Sequence, residues 1–252
     1  LLMLVVVRIG TQLPVPGVNG SYFSEWFSGN SGSAFGFFDA ITGGSFEKMS
    51  VFALNITPYI TSSIIIQLLT IAIPKLEELQ KDGEEGRKKM TAITRYLTVA
   101  LALMESLAMA IGFGRSGLLI KFNALNVITA VVTLTAGSTV IMWIGERITE
   151  NGVGNGISIV LTINIISRIP QDLTLLFEQF VKGKEIAFQV LNLAIIIAII
   201  IIVTVLTVAL QGAERRIPVQ YSRKVQGRKQ VGGQTSHIPL KVNTAGVIPI
   251  IF

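Results

Sequence analysis

Long apolar runs alternate with short polar connections along most of this chain. Five runs are long enough to cross a bilayer as helices: Val51–Ile73, Tyr96–Phe113, Ala124–Ile144, Ile157–Phe177 and Ala187–Leu210. About 20 apolar residues in a helix cover the ~30 Å of hydrocarbon. Ala187–Leu210 carries no charge, and its Ile-rich stretch Ile195–Val203 suits lipid contact better than a soluble helix. Leu1–Val7 and Gly246–Phe252 are apolar but too short to cross alone, so they read as parts of a first and a last spanning helix, seven in all. The pattern predicts an all-α polytopic membrane bundle.

Composition agrees with lipid as the solvent. Half of the 252 residues are apolar and 14% are charged, against roughly a quarter charged in soluble domains. There is no cysteine and one histidine, His237, in a polar connection. Disulfides, thiolate chemistry and Cys- or His-cluster metal sites are thereby excluded. A Ser/His/Asp arrangement would lack its histidine at membrane depth. No phosphate-binding Gly-Lys-[Ser/Thr] loop is present either, and Gly152-Val153-Gly154-Asn155-Gly156 lacks the spacing of a dinucleotide turn. Neither an enzyme nor a cofactor is expected.

The net charge of +6 matters less than its placement. Ile73–Arg95 holds six Lys and Arg, Gln211–Asn243 seven, and Gly145–Gly156 adds Arg147. The alternate connections hold Lys48, Arg115, Lys121, Arg168, Lys182 and Lys184. Fourteen against six puts 74–95 and 211–243 in the cytoplasm with the N-terminus, and Thr11–Ser50 outside.

That outer segment, 11–50, is rich in Gly and Ser yet contains Ala34-Phe35-Gly36-Phe37-Phe38 and Ile41. So much apolar surface argues against a fully solvated loop. It lies on the lipid interface or re-enters the membrane inside the protein. The spanning runs also carry polar residues: Asn55, Thr57, Pro58, Thr61, Ser62, Ser63 and Gln67 in the second helix, Glu105 in the third, Thr162 and Asn164 in the fifth. Helix–helix hydrogen bonding accounts for scattered Ser and Thr. A carboxylate at mid-membrane faces an interior or a wet cavity, because lipid solvates it poorly. On these grounds alone the chain is a channel or a secondary transporter of a small solute, with a solute site near Asn55, Thr57 and Glu105 in the second case.

Four stretches then narrow the choice. Gly43-Gly44 followed by Phe52-Ala53-Leu54-Asn55-Ile56-Thr57-Pro58-Tyr59-Ile60-Thr61 through Leu69 resembles the second-helix signature of the SecY/Sec61-alpha family, the channel subunits of protein-translocation complexes. Arg8-Ile9-Gly10 with Pro14-Val15-Pro16, Gly152 through Ile159, and His237-Ile238-Pro239-Leu240-Lys241-Val242-Asn243 through Pro249 agree in the same order. The resemblance covers essentially the whole chain. It implies a SecY-type helix bundle and the N-terminal half of an inverted-repeat channel, from helix 1 to the start of helix 7 of ten.

The resemblance also implies roles. Ile56 and Ile60 match the second-helix members of an aliphatic pore ring, Leu161 and Ile165 the fifth-helix members, and Ile251 the seventh-helix one. Such a ring blocks ions by dewetting and yields around a passing chain. Ser33–Gly43 occupies the plug position, with Phe35, Phe37, Phe38 and Ile41. Thr61, Glu105 and Asn243 match a polar cluster of the lateral gate. Arg215, Arg216, Arg223, Lys224, Arg228 and Lys229 match a docking loop for the ribosome, through rRNA and exit-tunnel proteins, and for the SecA motor ATPase. SecE and SecG subunits, signal peptides, nascent chains and membrane lipids complete the implied partners, and the implied location is the bacterial plasma membrane.

Overall fold

A computed structural model describes residues 1–20, 22, 24–26, 34–183, 186–219, 224–226, 229–231 and 236–243. Residues 1–172 and 173–252 form two compact units. The first holds helices α1 (Leu2–Gly10), α2 (Ala34–Thr42), α3 (Thr57–Ala72), α4 (Pro74–Lys81), α5 (Gly83–Gly112) and α6 (Ala124–Asn151), and most of α7 (Gly156–Phe180). The second holds the end of α7, helix α8 (Ile186–Gly212) and two antiparallel ladders. These pair β1 (Glu214–Val219) with β4 (Ser236–Lys241), and β2 (Lys224–Gln226) with β3 (Lys229–Val231). Among the described residues four helices, α5 to α8, are long and apolar enough to cross a membrane. The pair α3 and α4, bent by 105°, makes a fifth candidate.

The bend has a local cause. The ring of Pro74 disfavours helical backbone in the residue before it, and Ile73 is extended at φ −114°, ψ 110°. Pro74 itself is well placed in the first turn of α4, where its missing N–H is not needed. Gly83, at φ +70°, then turns the chain into α5. The segment 74–95, read from the sequence as a loop, is therefore helical almost throughout. Its mixed charges fall on helix faces as Glu77–Lys81 at 2.6 Å, Glu84–Lys88 at 3.2 Å and Glu85–Lys89 at 3.4 Å. Glu four residues before Lys is the favourable order for such pairs.

Two other segments differ from their sequence reading. The span expected from Val51 becomes helical only at Thr57. Val51–Ile56 runs through turns, with Asn55 in the left-handed region at φ +50°, which asparagine tolerates better than most residues. The basic loop 211–243 carries strands, in register Ile217↔Ile238 and Val219↔Ser236. Pro218 and Pro239 are compatible with it because a two-stranded ladder has only edge strands.

Close packing in the first unit relies on small residues. Ala102, Ser106 and Ala110 of α5 are buried, as are Ala130, Gly137 and Ser138 of α6. A Cβ at Gly137 would run into the Val51 carbonyl. Lipid offers helices no hydrophobic reason to associate, so close fit and buried hydrogen bonds take over. Ser106 and Thr135 hydroxyls bond at 3.0 Å between α5 and α6, and Ser62 of α3 donates to the Thr94 carbonyl of α5 at 2.9 Å. At one end of the α5–α6 contact, Arg95 Nε lies 2.9 Å from Glu146 Oε1.

Candidate functional site

The aliphatic positions separate into two groups. Ile56 is fully buried in a cluster with Val7, Phe52, Ile141, Ile144 and Val160, and Ile60 and Leu161 pack against it half-buried. Ile60 N–H donates to the Ile56 carbonyl at 3.1 Å, so the two stay on one face although Ile56 precedes the helix proper. Ile165, one turn beyond Leu161 on α7, is 46% exposed. Ile251 lies outside the described residues.

Helix α2 is lodged beside this cluster by a polar seat. Asn55, one residue before Ile56, donates its Nδ2 to the Ile41 carbonyl of α2 at 3.4 Å. Its Oδ1 accepts from Asn164 Nδ2 at 3.2 Å; Asn164 sits between Leu161 and Ile165. Gly43, at φ +69°, passes so close to the Asn164 backbone that a Cβ there would meet its carbonyl. Arg8 Nη1 reaches the Gly43 carbonyl at 3.4 Å. Asp39, with no exposed surface, accepts the Glu47 backbone N–H at 2.8 Å and is ion-paired to Arg168 of α7. Phe38 of α2 meets Phe46 edge to face, with ring centroids 5.1 Å apart. Ile41 is half-buried, and the side chains of Phe35 and Phe37 lie outside the described set.

A cavity of about 410 Å³ opens between α2, the start of α3, and α5, lined by Phe38, Phe46, Leu54, Thr57, Met109 and Phe113 together with Glu105. Glu105 thus faces an apolar space. Thr61 turns its hydroxyl onto the Thr57 carbonyl at 3.1 Å, so Thr57 links the two predicted positions. Asn243 is exposed just after β4 in the second unit. Of the basic residues, Arg215 and Arg216 stand exposed on β1, opposite Leu240 and Pro239. Lys224 begins β2 and Lys229 begins β3, while Arg223 and Arg228 lie outside the described residues.

The contact that sequence reasoning missed is Asp39–Arg168. Arg168 entered only as a charge outside the membrane, although it lies within the apolar run Ile157–Phe177. The available signal was a pair of charges, Arg168 and Asp172, within such a run, because intramembrane charges require partners.

Long apolar helices joined by buried polar contacts, with a short helix lodged among them, define a polytopic α-helical membrane protein. The family model for SecY matches residues 50–252. A curated relative, the protein translocase subunit SecY of Pseudomonas aeruginosa, is 43% identical over 251 residues, which is 100% of this chain and 56% of that protein. A solved structure described as that of a protein-conducting channel superposes with a TM-score of 0.60 at 20% identity, over 99% of this chain and 53% of that one. Another, of a SecY protein described as having a plug domain that stabilises the closed translocation channel and maintains a membrane seal, gives 0.53 at 20% identity over 95% and 50%. The chain belongs to the SecY family and has its fold. It spans a little over half the length of the relative it matches.

Proposed function

We propose that this chain is the N-terminal portion of a protein-conducting channel subunit. The whole protein passes unfolded secretory polypeptides across the bacterial plasma membrane and releases membrane-protein helices sideways into lipid. Its N-terminus faces the cytoplasm, and it works as a channel, with the driving energy supplied by partners. Ile56, Ile60, Leu161 and Ile165, with Ile251, form the aliphatic constriction; Ala34–Thr42 is the plug. Thr61, Glu105 and Asn243 contribute to the lateral gate. The basic ladder of 211–243 docks the ribosome or the SecA motor, and SecE and SecG complete the complex.

One observation carries this reading. The short helix α2 is bonded to Asn55, and Gly43 just after it packs against the Asn164 backbone; Asn55 and Asn164 directly adjoin Ile56 and Ile165. A secondary transporter has no use for a helix seated there, whereas a channel that must stay tight to ions needs one beside its narrowest ring. Deleting residues 34–42 from the full-length protein and recording conductance in planar bilayers is the test. Flickering ion leak is expected, and a deletion channel as tight as the parent refutes the plug assignment.

A further inference from the structure

We propose that Arg168 is the positioning residue of the plug: by neutralising the buried carboxylate of Asp39 it holds Ala34–Thr42 in its closing seat. The tightness of the idle channel then depends on this ion pair. The proposal rests on the plug reading above.

Asp39 is the only charged residue of the Ala34–Thr42 helix and has no exposed surface. One carboxylate oxygen accepts the Glu47 backbone N–H at 2.8 Å, and the other faces Arg168. Among the described residues Arg168 is the cation beside this buried carboxylate, which depends on it, since removal from water is otherwise too unfavourable. The dependence is not mutual. Arg168, 16% exposed, also places Nε 3.2 Å from Asp172 Oδ1 and Nη2 3.8 Å from Glu47 Oε2. If the helix leaves, Arg168 falls back on Asp172 and Glu47, while Asp39 moves with the helix and regains water. The contact is therefore a releasable latch: the moving partner carries the carboxylate that needs it, and the fixed partner has spare ligands. The other holds on the seat are neutral or weaker, the Asn55–Ile41 and Arg8–Gly43 contacts both standing at 3.4 Å.

The unequal partnering predicts an unequal mutant series. In the full-length channel, reconstituted with its partner subunits in planar bilayers, R168Q leaves the Asp39 carboxylate without its cation. Its idle open probability should rise roughly a hundredfold to a thousandfold. D39N leaves Arg168 with two carboxylates and should leak less. The double variant D39N/R168Q should resemble D39N, since no stranded charge remains, and R168K should stay close to the parent. In a channel lacking residues 34–42, R168Q should add nothing to the leak already present. Thermal midpoints of all variants, with the remote Glu146→Gln as reference, separate gating from damage.

Leak from the deletion but a tight R168Q channel overturns the latch and leaves the plug standing. Additional leak from R168Q in the deletion background also overturns it, because Arg168 would then act without the helix. So does leak that follows the thermal midpoint across the whole series, Glu146→Gln included. If R168Q does not assemble, the order D39N above R168K decides, and equal tightness in those two refutes the proposal. A tight deletion channel overturns the plug reading and the latch with it.

Discussion

Replacing Asn55 by alanine removes two things at once, and the structure lets them be separated. The first is conformational. Asn55 sits at φ +50°, where a Cβ without a local polar group costs roughly 1–2 kcal/mol. The second is a hydrogen-bond bridge: Asn55 Oδ1 accepts from Asn164 Nδ2 at 3.2 Å, and Asn55 Nδ2 donates to the Ile41 carbonyl at the longer distance of 3.4 Å. An interhelical bond of this kind in a membrane protein contributes about 0.6–2 kcal/mol. Asn55→Ala should therefore destabilise by ~2–3 kcal/mol, the sum of a backbone and a bonding part. Asn55→Gly retains the backbone and loses only the bonds, about 1 kcal/mol. Asn164→Ala loses the shared bond and leaves Asn55 Oδ1 buried.

Thermal unfolding of the purified full-length protein reads these differences. At roughly 1 °C per kcal/mol for a full-length protein nearly twice as long as this chain, Asn55→Ala should melt about 2–3 °C lower. Asn55→Gly should fall by about half of that. The double variant N55G/N164A should melt well above the sum of its singles, because both remove the same bond. Equal midpoints for Asn55→Ala and Asn55→Gly would refute the left-handed backbone argument. Strict additivity of N55G and N164A would show that the bridge contributes nothing.

Three further expectations follow from packing and charge. Gly137→Ala should lower the midpoint by several degrees, because its Cβ meets the Val51 carbonyl, which is backbone and cannot swing aside; Gly112→Ala, with open space around it, should be neutral or slightly stabilising. Glu146→Gln should weaken the α5–α6 contact by about 0.5–1 kcal/mol, and the difference from the parent should shrink in high salt, since the Arg95 side chain is 48% exposed. Pro74→Ala should let α3 and α4 straighten from their 105° bend. The chain has no cysteine of its own, so spin labels at exposed Leu68 and Glu78 report this directly; an unchanged distance would show that tertiary contacts, not the proline, set the angle.

How far the sequence discloses this fold depends on the range of the signal. The apolar runs are local and additive, so the helices Ala124–Asn151, Gly156–Phe180 and Ile186–Gly212 contain the runs read from them, and Gly83–Gly112 covers all of its run but Phe113. Their ends extend past the apolar stretch because polar turns such as Glu84–Lys88 continue a helix into water at no loss of hydrogen bonds. Pro74, whose ring disfavours a helical residue before it, went unread in the sequence. Its consequence, a sharp corner between two helices instead of a loop, needed Gly83 and the i, i+4 pairs to be read together.

The polar seat was legible only by halves. Asn55 and Asn164 each stood out as amides in apolar runs, yet they are 109 residues apart, and periodicity says nothing about which faces will meet. Asp39 was less visible still, one acid in a Gly- and Phe-rich segment that solvent would ordinarily claim. Arg168 carried the stronger clue, because a guanidinium in an apolar run requires partners; Asp172 one turn on offers one, and nothing local points to Asp39 as another. The same reasoning explains why the seat is built from polar contacts. Apolar contacts such as Phe38–Phe46 favour the seat but are non-directional and do not fix one position. A buried carboxylate paired to a fixed cation is different, since it favours one position strongly and gives that preference up once water reaches it.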